Sequence, residues 1–284
     1  MASDLDGLGY RGKTVVVTGG ASGMGEAAAR ILGDLGAHVH IVDIQEPKVP
    51  HAGFYRCDLS DFDQVRTTAE ALKAIAPIHF LFPCAGLPPH IKGALYCMRV
   101  NYIGTRLLVE SLVPSLADGA GIALISSDAA MGWQKNIAQS LEMLAIGDPD
   151  EALAWVEADP EKRLRDGYTT SKEMLVVWVA KAAVALGNER RIRFNAIGPC
   201  PTKTAFMEQS ADVISQEFLD AWPYPSLGRI ATAEDQAWPL VLLNSPLNGA
   251  VTGAFLYTDQ GFATGVMTGA IDASFMMGSQ REKA

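Results

Sequence analysis

Short apolar runs alternate with amphipathic stretches along most of the chain. The apolar runs are rich in β-branched residues and predict strands near positions 14–18, 38–43, 78–83, 121–126, 191–197 and 254–258. Between them, apolar residues recur at helical spacing, for example over positions 26–35, 62–75, 95–116 and 169–186. This alternation predicts an α/β fold in which a doubly wound parallel sheet carries helices on both faces. Ligands of such sheets bind beyond the carboxyl ends of the strands.

The first strand runs directly into a glycine-rich turn, residues 19–25, which precedes the first helical stretch. Glycines let the backbone turn tightly and approach a pyrophosphate, and the helix N-terminus offers unpaired N–H groups to the phosphates. The second strand ends at Asp43, whose carboxylate can accept hydrogen bonds from an adenosine ribose. The order of strand, turn, helix, strand and acid indicates a Rossmann-type dinucleotide-binding unit. The alternative is an ordinary glycine-rich turn with a capping aspartate.

Asp43 also bears on which dinucleotide binds. Its negative charge would repel a 2′-phosphate, and neither the glycine turn nor the end of the second strand supplies an arginine to receive one. The sequence therefore favours NAD over NADP as the cofactor.

Tyr168 and Lys172 stand four residues apart in a stretch with helical periodicity, which places both side chains on one helix face. A free tyrosine titrates at about pH 10, and a cation held close is expected to lower the pKa of the phenol. Such a tyrosine can pass a proton to or from an alcohol oxygen, which the upstream hydroxyl of Ser127 can hold. This spacing is also common on solvated helix faces, so the pair gains its meaning from the other motifs.

Further segments follow in the order and spacing of the short-chain dehydrogenase/reductase family, which the chain resembles over roughly residues 13–261. The resemblance rests on the turn 18–25, on Ile125-Ser126-Ser127, and on the pair Tyr168 and Lys172. The other matching segments are Cys57-Asp58-Leu59, Cys84-Ala85-Gly86, Val100-Asn101, Asn195-Ala196-Ile197-Gly198-Pro199, Thr202 and Thr204.

The resemblance implies an NAD-dependent oxidoreductase that interconverts a secondary alcohol and a ketone by hydride transfer. The implied catalytic residues are Asn101, Ser127, Tyr168 and Lys172. In this set Tyr168 as phenolate takes the alcohol proton, Lys172 binds the nicotinamide ribose and lowers the Tyr168 pKa, and Asn101 positions a water behind Lys172. The implied cofactor contacts are Gly19, Ser22, Gly23, Met24, Gly25, Asp43, Asp58, Leu59, Ala85, Gly86, Tyr168, Lys172, Pro199, Thr202 and Thr204.

The chain departs from the family pattern at two places. Pro83-Cys84 stands where the family usually carries two asparagines, so the backbone must hold that corner of the cofactor cleft. Pro199-Cys200 stands where the family carries Pro-Gly, which adds a Cβ to that loop. Neither change touches the proton-transfer groups.

The interval between Ser127 and Tyr168 is longer than in most members of the family, and the extra segment, residues 134–166, has helical features. Apolar residues at helical spacing and Pro149 with acidic neighbours predict two small helices, followed by a short turn at Asp159-Pro160. Their predicted apolar faces consist of Leu141, Leu144, Leu153, Trp155 and Val156.

An insertion at this place resembles the bacterial 3α-hydroxysteroid dehydrogenase/carbonyl reductase branch of the family. In that branch the insertion covers the helix face that most relatives use to form tetramers. The resemblance therefore implies a homodimer, and a tetramer is the alternative if the segment is a neutral surface insertion.

The substrate side is expected to consist of a lid, residues 200–225, and an apolar tail, residues 262–284, which caps the pocket or crosses to a partner subunit. Most expected contacts are apolar, which favours a bulky hydrophobic alcohol or ketone such as a steroid or an aryl compound. The alternative for each side chain is that it simply packs the lid. The expected substrate contacts are Ser127, Met131, Trp133, Tyr168, Phe206, Met207 and Trp222.

Composition agrees with a single dinucleotide-binding and catalytic domain over residues 1–284, since 49% of the residues are hydrophobic. The formal net charge of −9 argues against nucleic acids and anionic membrane surfaces as partners. Without a secretory signal pattern or a run long enough to cross a bilayer, the chain is expected to be cytoplasmic. The 4 cysteines are scattered without a C-x-x-C pair, so neither a metal site nor a disulfide framework is expected.

Two other functions are compatible with the same sequence. An epimerase or a cis-diol dehydrogenase would use the same groups with extra acid/base residues, which the sequence does not identify. A non-catalytic NAD-sensing protein could also use this fold, although such proteins commonly lose the tyrosine or the lysine.

Overall fold

The structure of the protein is a computed structural model, which describes residues 8–88, 90–209 and 215–274. Seven strands form one sheet in which every neighbouring pair is parallel, and two short strands form a separate parallel pair. The strands are β1 (Thr14–Thr18), β2 (His38–Asp43), β3 (Gly53–Arg56), β4 (Ile78–Pro83), β5 (Leu116–Ile125), β6 (Arg193–Pro199), β7 (Thr202–Lys203), β8 (Ala231–Thr232) and β9 (Phe255–Thr258). The large sheet has the order β3-β2-β1-β4-β5-β6-β9, and β7 pairs with β8.

Helices connect the strands and cover both faces of the sheet. They are α1 (Gly23–Asp34), α2 (Phe62–Lys73), α3 (Gly93–Met98), α4 (Thr105–Leu112), α5 (Ile137–Leu144), α6 (Pro149–Glu157), α7 (Pro160–Arg163), α8 (Tyr168–Arg190), α9 (Ala205–Gln209), α10 (Gln216–Ala221), α11 (Ala233–Asn244) and α12 (Phe262–Met267). Among these helices, none is long and apolar enough to span a membrane.

The hydrophobic core consists of two buried clusters, one on each face of the sheet. On one face α1 packs over β1 and β2 and α11 over β5 and β6, and the two helices contact each other, with Leu32 and Leu240 fully buried. On the other face α2, α4 and α8 cover the sheet, with Leu108 and Trp178 buried. The predicted doubly wound parallel sheet of Rossmann type is therefore confirmed.

The sequence pattern misses one strand and misplaces the start of another. β3 is four residues long, lies at the sheet edge and keeps its side chains partly exposed, so it lacks the apolar signature of a buried strand. β5 begins at Leu116 rather than near position 121, and it pairs with β4 through an irregularity between Ile78 and Phe80.

The single helix predicted over residues 95–116 is divided in the structure. α3 passes into a π-helical turn, Arg99–Gly104, and then into α4. A 3₁₀ turn at Val113–Ser115 ends this run, because Pro114 cannot continue an α-helix. The π-helical turn matters for the site, since it carries Asn101.

Between residues 128 and 166 the chain forms a 3₁₀ segment, Asp128–Asn136, and then α5, α6 and the short α7. Val156 is buried, and Leu144, Leu153 and Trp155 are partly buried against the core, as the sequence predicts. Leu141 differs, because its side chain is exposed. The fully buried residues of α5 are instead Ser140 and Met143, each one position before a residue of the predicted face.

Candidate active site

The glycine-rich turn after β1 is closed so tightly that side chains would not fit at two of its positions. Gly19 has a φ of +68°, and a Cβ there would lie 2.7 Å from the backbone of Ala85. A Cβ at Gly25 would lie 2.2 Å from the carbonyl oxygen of Gly19. α1 begins inside this turn, and its N-cap residue Ser22 makes no side-chain capping hydrogen bond. The first N–H groups of the helix therefore remain available to an anion.

Asp43 is the last residue of β2, and its carboxylate links β2 to the glycine-rich turn by a hydrogen bond. Its Oδ2 accepts a hydrogen bond from the backbone N–H of Ala21 at 3.0 Å, and its Oδ1 accepts one from Gln45 at 2.9 Å. Neither the glycine turn nor the end of β2 supplies an arginine, as expected, but a third segment does. The unpredicted strand β3 pairs Arg56 with Asp43, and the Arg56 guanidinium donates to the carbonyl of Ile44 at 2.5 Å.

A cavity of about 380 Å³, here called the glycine cavity, lies over the turn and the ends of β1, β2 and β4. Asp58 lines it with its carboxylate engaged, since Oδ2 accepts from the hydroxyl of Tyr96 at 3.1 Å and Oδ1 from Ser60. The structure brings eleven of the expected cofactor residues to this cavity, which are Gly19, Ser22, Gly23, Met24, Gly25, Asp43, Asp58, Leu59, Ala85, Gly86 and Thr204.

A second cavity, of about 310 Å³, adjoins the first and is here called the tyrosine cavity. Thr204 and Phe206 line both cavities, as do Met24, Cys84 and Gly86. Besides Met24 and Gly86, the tyrosine cavity gathers predicted residues from four separate segments of the chain, which are Ser127, Met131, Tyr168, Lys172, Pro199, Thr202, Thr204, Phe206, Met207 and Trp222.

Trp133 is not among the residues that line either cavity, and its side chain is half-buried elsewhere. It lies in the same 3₁₀ segment as Met131, which does line the tyrosine cavity. A 3₁₀ helix has three residues per turn, so residues two apart project in different directions. Met131 and Trp133 therefore cannot both face the cavity from this segment.

Tyr168 and Lys172 lie one turn apart at the start of α8, as the spacing predicts. The Lys172 Nζ lies 5.6 Å from the centroid of the Tyr168 ring and donates to the carbonyl of Ile125 at 2.9 Å. The lysine is only 4% exposed, and this burial lowers its pKa to about 8.

The expected depression of the Tyr168 pKa is not found in the protein alone. Burial raises the pKa of the Tyr168 phenol well above its usual range, and the hydroxyl of Ser127 only partly opposes this shift. The negative charge of a neighbouring residue, Asp128, raises the pKa further. Desolvation therefore outweighs the effect of the nearby lysine, and Tyr168 is a neutral proton donor at neutral pH.

Asn101 is buried in the π-helical turn and holds a loop rather than facing either cavity. Its Oδ1 accepts from the backbone N–H of Leu87 at 2.9 Å, and its Nδ2 donates to the carbonyl of the same residue at 3.0 Å. The water expected behind Lys172 stays a prediction. In the same loop, the amide of Ala85 donates to the Thr18 hydroxyl at 3.1 Å, so the backbone holds the corner at Cys84, as expected.

Sequence reasoning missed two ionisable residues that line the tyrosine cavity, Asp128 and the exposed His90. The Ser127 Oγ donates to the Asp128 Oδ1 at 3.0 Å and accepts from the N–H of Ala129 at 3.1 Å. Asp128 is 9% exposed, and burial raises its pKa to about 7, with the charge of Asp259 adding to the shift. A carboxylate directly after Ser127, just past the end of the buried strand β5, was the available signal.

Aromatic residues of the lid close the tyrosine cavity against the tail. The ring of Phe206 lies 5.9 Å from the ring of Tyr168, and the ring of Trp222 stacks on that of Phe262 at 3.9 Å. Val266 and Ile271 of the tail pack against the same cluster. The described part of the tail therefore caps the lid within its own subunit. The lid residue Ile214 and the tail residues 275–277 lie outside the described residues.

The inserted segment is fastened to the catalytic helix at both of its ends. Glu173, buried next to Lys172, accepts a hydrogen bond from Asn136 at 2.9 Å and is ion-paired with Arg165. Arg106 of α4 donates to three carbonyls at the end of α5, those of Met143, Leu144 and Ile146. The insertion thus covers parts of α4 and α8.

Comparison with known families gives two matches that together span most of the chain. The model described as "short chain dehydrogenase" matches residues 13–139, and the model described as "Enoyl-(Acyl carrier protein) reductase" matches residues 159–263. Positions 140–158 fall between the two matches, and they lie inside the predicted insertion.

Individual relatives are similar over nearly their full length. A coniferyl-alcohol dehydrogenase of a Pseudomonas species is 27% identical over 89% of this chain and 97% of its own. The 3-alpha-hydroxysteroid dehydrogenase/carbonyl reductase of Comamonas testosteroni is 30% identical over 87% of this chain and 95% of its own. The crystal structure of the 3-alpha-hydroxysteroid dehydrogenase from Pseudomonas sp. B-0831 complexed with NADH has a similar fold, with a TM-score of 0.75. It is 22% identical and covers 92% of this chain and 100% of its own.

Proposed function

Because the chain belongs to the short-chain dehydrogenase family of oxidoreductases, we propose that it interconverts a secondary alcohol and a ketone by NAD-dependent hydride transfer. The observation that carries the proposal is the meeting of Ser127, Tyr168 and Lys172 in one cavity next to the glycine cavity. A hydroxyl, a phenol and a cation held together in a largely apolar cavity can hold an oxygen and move its proton.

The residues of the glycine cavity fit a dinucleotide. Side chains at Gly19 and Gly25 would collide with backbone, so only glycines allow a turn this tight. A tight turn of bare backbone can approach a pyrophosphate closely. No side chain caps the N-terminus of α1, so its N–H groups can bind the phosphates. The Asp43 carboxylate can accept hydrogen bonds from ribose hydroxyls. When bound, the nicotinamide would accept or supply the hydride.

The chain's own residues handle the oxygen and the proton. In ketone reduction the neutral Tyr168 phenol donates its proton to the carbonyl oxygen, which Ser127 also holds. In alcohol oxidation the phenol must first be ionised, so its raised pKa makes oxidation faster as the pH rises. Lys172, whose ammonium is fixed by the Ile125 carbonyl, favours the phenolate and can bind ribose hydroxyls. Asn101 would act behind Lys172 by positioning a water.

The proposed substrate is a bulky hydrophobic alcohol or ketone, such as a hydroxysteroid or an aryl alcohol. The tyrosine cavity supports this, because Met131, Phe206, Met207 and Trp222 give it an apolar lining. The names of two relatives agree, since one acts on coniferyl alcohol and the other is a 3-alpha-hydroxysteroid dehydrogenase/carbonyl reductase.

A direct assay tests the proposed function. The purified protein is mixed with NAD⁺ and a panel of secondary alcohols that includes hydroxysteroids and aryl alcohols, and NADH formation is followed by absorbance. We expect turnover of at least one bulky hydrophobic alcohol and reduction of the matching ketone with NADH. Tight binding of NAD⁺ without turnover across the whole panel would support the non-catalytic sensor instead.

NAD is expected to be preferred over NADP because Asp43 would repel a 2′-phosphate and the nearby Arg56 is already bonded to a carbonyl. With one active alcohol, kcat/KM should be at least about tenfold higher with NAD⁺ than with NADP⁺. Asp43→Asn should narrow this ratio, mainly by lowering the KM for NADP⁺. The matched control Asp63→Asn changes an exposed carboxylate outside the cavities and should leave the ratio unchanged. Equal use of both cofactors by the wild type would contradict the assignment.

We further propose that the chain forms a homodimer, because α5 and its neighbours cover parts of α4 and α8. The ion pair of Glu173 with Arg165 holds this cover in place. Sedimentation velocity over a range of protein concentrations should show a dimer. A stable tetramer, with cross-links that map to the α8 faces of two subunits, would mean that the insertion does not block this surface.

A further inference from the structure

We infer that Asp128 is a positioning residue that decides where the hydroxyl hydrogen of Ser127 points, and so whether the serine can donate to the reacting oxygen. Neutral Asp128 frees that hydrogen for the substrate, whereas ionised Asp128 takes it. The inference rests on the proposed alcohol and ketone chemistry of the tyrosine cavity.

The Ser127 hydroxyl already makes two hydrogen bonds within the protein, and these limit what it can offer to a substrate. A serine hydroxyl has one hydrogen to donate and two lone pairs that accept. One lone pair accepts from the N–H of Ala129 at 3.1 Å, and the hydrogen goes to the Asp128 Oδ1 at 3.0 Å. In this arrangement Ser127 can offer a ligand only its remaining lone pair. The oxygen of a ketone, or of an alcohol that is losing its proton, requires a donor instead.

A proton on Asp128 reverses the direction of the bond without moving any heavy atom. The neutral carboxyl has an O–H of its own and can donate it to the Ser127 Oγ across the same 3.0 Å. The serine oxygen then accepts from both Asp128 and Ala129, and its hydrogen is free to turn into the cavity. The only material change is one proton taken up from solvent by Asp128.

The surroundings of Asp128 make both states accessible. The carboxylate is buried, its Oδ2 has no hydrogen-bond partner among the described residues, and no ion pair in the described part of the chain includes it. Burial raises the pKa to about 7, and the Ser127 hydroxyl opposes that shift. The ionisable groups near it from neighbouring elements are Tyr168 of α8, Cys200 after β6, Tyr257 of β9 and Asp259 after β9.

The ionisation of Asp128 determines how the donor ability of Ser127 changes with pH. Because the pKa is raised, the neutral form of Asp128 predominates below about pH 7 and the ionised form above it. Ser127 therefore donates to the reacting oxygen at lower pH and loses this ability as the pH rises. Tyr168 stays protonated over the same range, since burial raises its pKa well above neutrality.

The test compares the wild type with Asp128→Asn in ketone reduction by NADH at saturating substrate. The wild-type kcat should fall by about 10- to 100-fold between roughly pH 6 and pH 9, the size of effect expected when one oxyanion donor is lost. Asp128→Asn, whose amide can donate to Ser127 at every pH, should lose this decline. Tyr168 stays protonated and Lys172 titrates in both proteins, so the difference between the two profiles belongs to Asp128.

The variant Ser127→Ala shows whether Asp128 acts by orienting the Ser127 hydroxyl or has only a structural role. In that background Asp128→Asn should leave the pH profile unchanged, because no hydroxyl remains to be steered. Identical profiles for the wild type and Asp128→Asn, or an equal effect of Asp128→Asn with and without Ser127, would overturn the inference. Inactivity of the wild type at every pH would instead count against the proposed function.

A second measurement does not need turnover. In protein labelled with ¹³C-aspartate, the Asp128 carboxyl signal, assigned by its loss in Asp128→Asn, should titrate with a midpoint near 7. Ser127→Ala should raise that midpoint, because the serine hydroxyl stabilises the ionised carboxylate. A carboxyl that does not titrate between about pH 5 and pH 9, or a midpoint that ignores Ser127→Ala, would also overturn the inference.

Discussion

Tyr168→Phe is expected to reduce kcat for both alcohol oxidation and ketone reduction by about 10²–10⁴-fold, the usual contribution of a positioned proton donor. Phenylalanine keeps the ring that packs 5.9 Å from the ring of Phe206, so the shape of the cavity is preserved. Only the hydroxyl is lost, and neither Ser127 nor Lys172 can replace it. The Lys172 Nζ is held at the Ile125 carbonyl, 5.6 Å from the centroid of the Tyr168 ring, and a serine hydroxyl is a much weaker acid than a phenol.

The measurement has two parts, turnover by NADH absorbance and NADH binding by fluorescence titration. Binding should stay within about threefold of the wild type, because most of the cofactor contacts lie in the glycine cavity. The matched control is Tyr10→Phe, which removes a buried hydroxyl bonded to the Val241 carbonyl, away from both cavities. It should destabilise the fold by about 1 kcal/mol and leave kcat unchanged.

A variant Tyr168→Phe that retains more than about a tenth of the wild-type kcat would remove Tyr168 from the proton transfer. A large loss of NADH binding would mean that the tyrosine acts in cofactor binding rather than in chemistry. These two outcomes are distinct, because the first is read at saturating cofactor and the second needs no substrate.

Most of the fold and of the site could be predicted because both depend on local patterns that parallel sheets organise in space. Buried strands have a strong apolar signature, and their carboxyl ends meet at one edge of the sheet. Motifs at the ends of β1, β4, β5 and β6 therefore had to converge, and the two adjoining cavities show that they do. The edge strand β3 lacks that signature, so its Arg56 could not be placed beside Asp43 from sequence.

The electrostatics of the site could not be predicted, because desolvation depends on the whole surrounding structure. From sequence, the nearby cation was the only visible influence on Tyr168, and it indicates a lowered pKa. The structure buries the phenol and reverses the direction of the shift. Asp128 was missed for a related reason. Its place after Ser127 is visible in the sequence, but its burial and its hydrogen bond with Ser127 are not.

The second large effect is expected at the glycine-rich turn, where Gly25→Ala should weaken NADH binding by roughly ten- to hundredfold. A Cβ at this position would lie 2.2 Å from the carbonyl oxygen of Gly19 and 2.8 Å from its carbon. Both are backbone atoms, so the clash cannot be relieved by turning a side chain. The turn must instead open, which moves the N–H groups at the start of α1 away from the phosphates.

Gly33→Ala is a matched control, because it makes the same substitution in the same helix. At Gly33 a Cβ meets nothing within 4 Å, and the position is exposed. Alanine is the better helix former by about 1 kcal/mol, so this variant should be slightly more stable and bind NADH like the wild type. Isothermal titration with NADH and thermal unfolding of each protein give the two readouts.

The comparison separates a binding defect from a folding defect. If Gly25→Ala unfolds at the wild-type temperature but binds NADH weakly, the tight turn acts in cofactor binding, as proposed. If its stability falls while the folded fraction binds normally, the close approach of Gly25 to Gly19 serves only to pack α1 against the sheet. Normal binding by a stable Gly25→Ala would show that NADH binding does not depend on the geometry of this turn. The assignment of the glycine cavity to the dinucleotide would then fail, and with it the hydride-transfer geometry built on its contact with the tyrosine cavity.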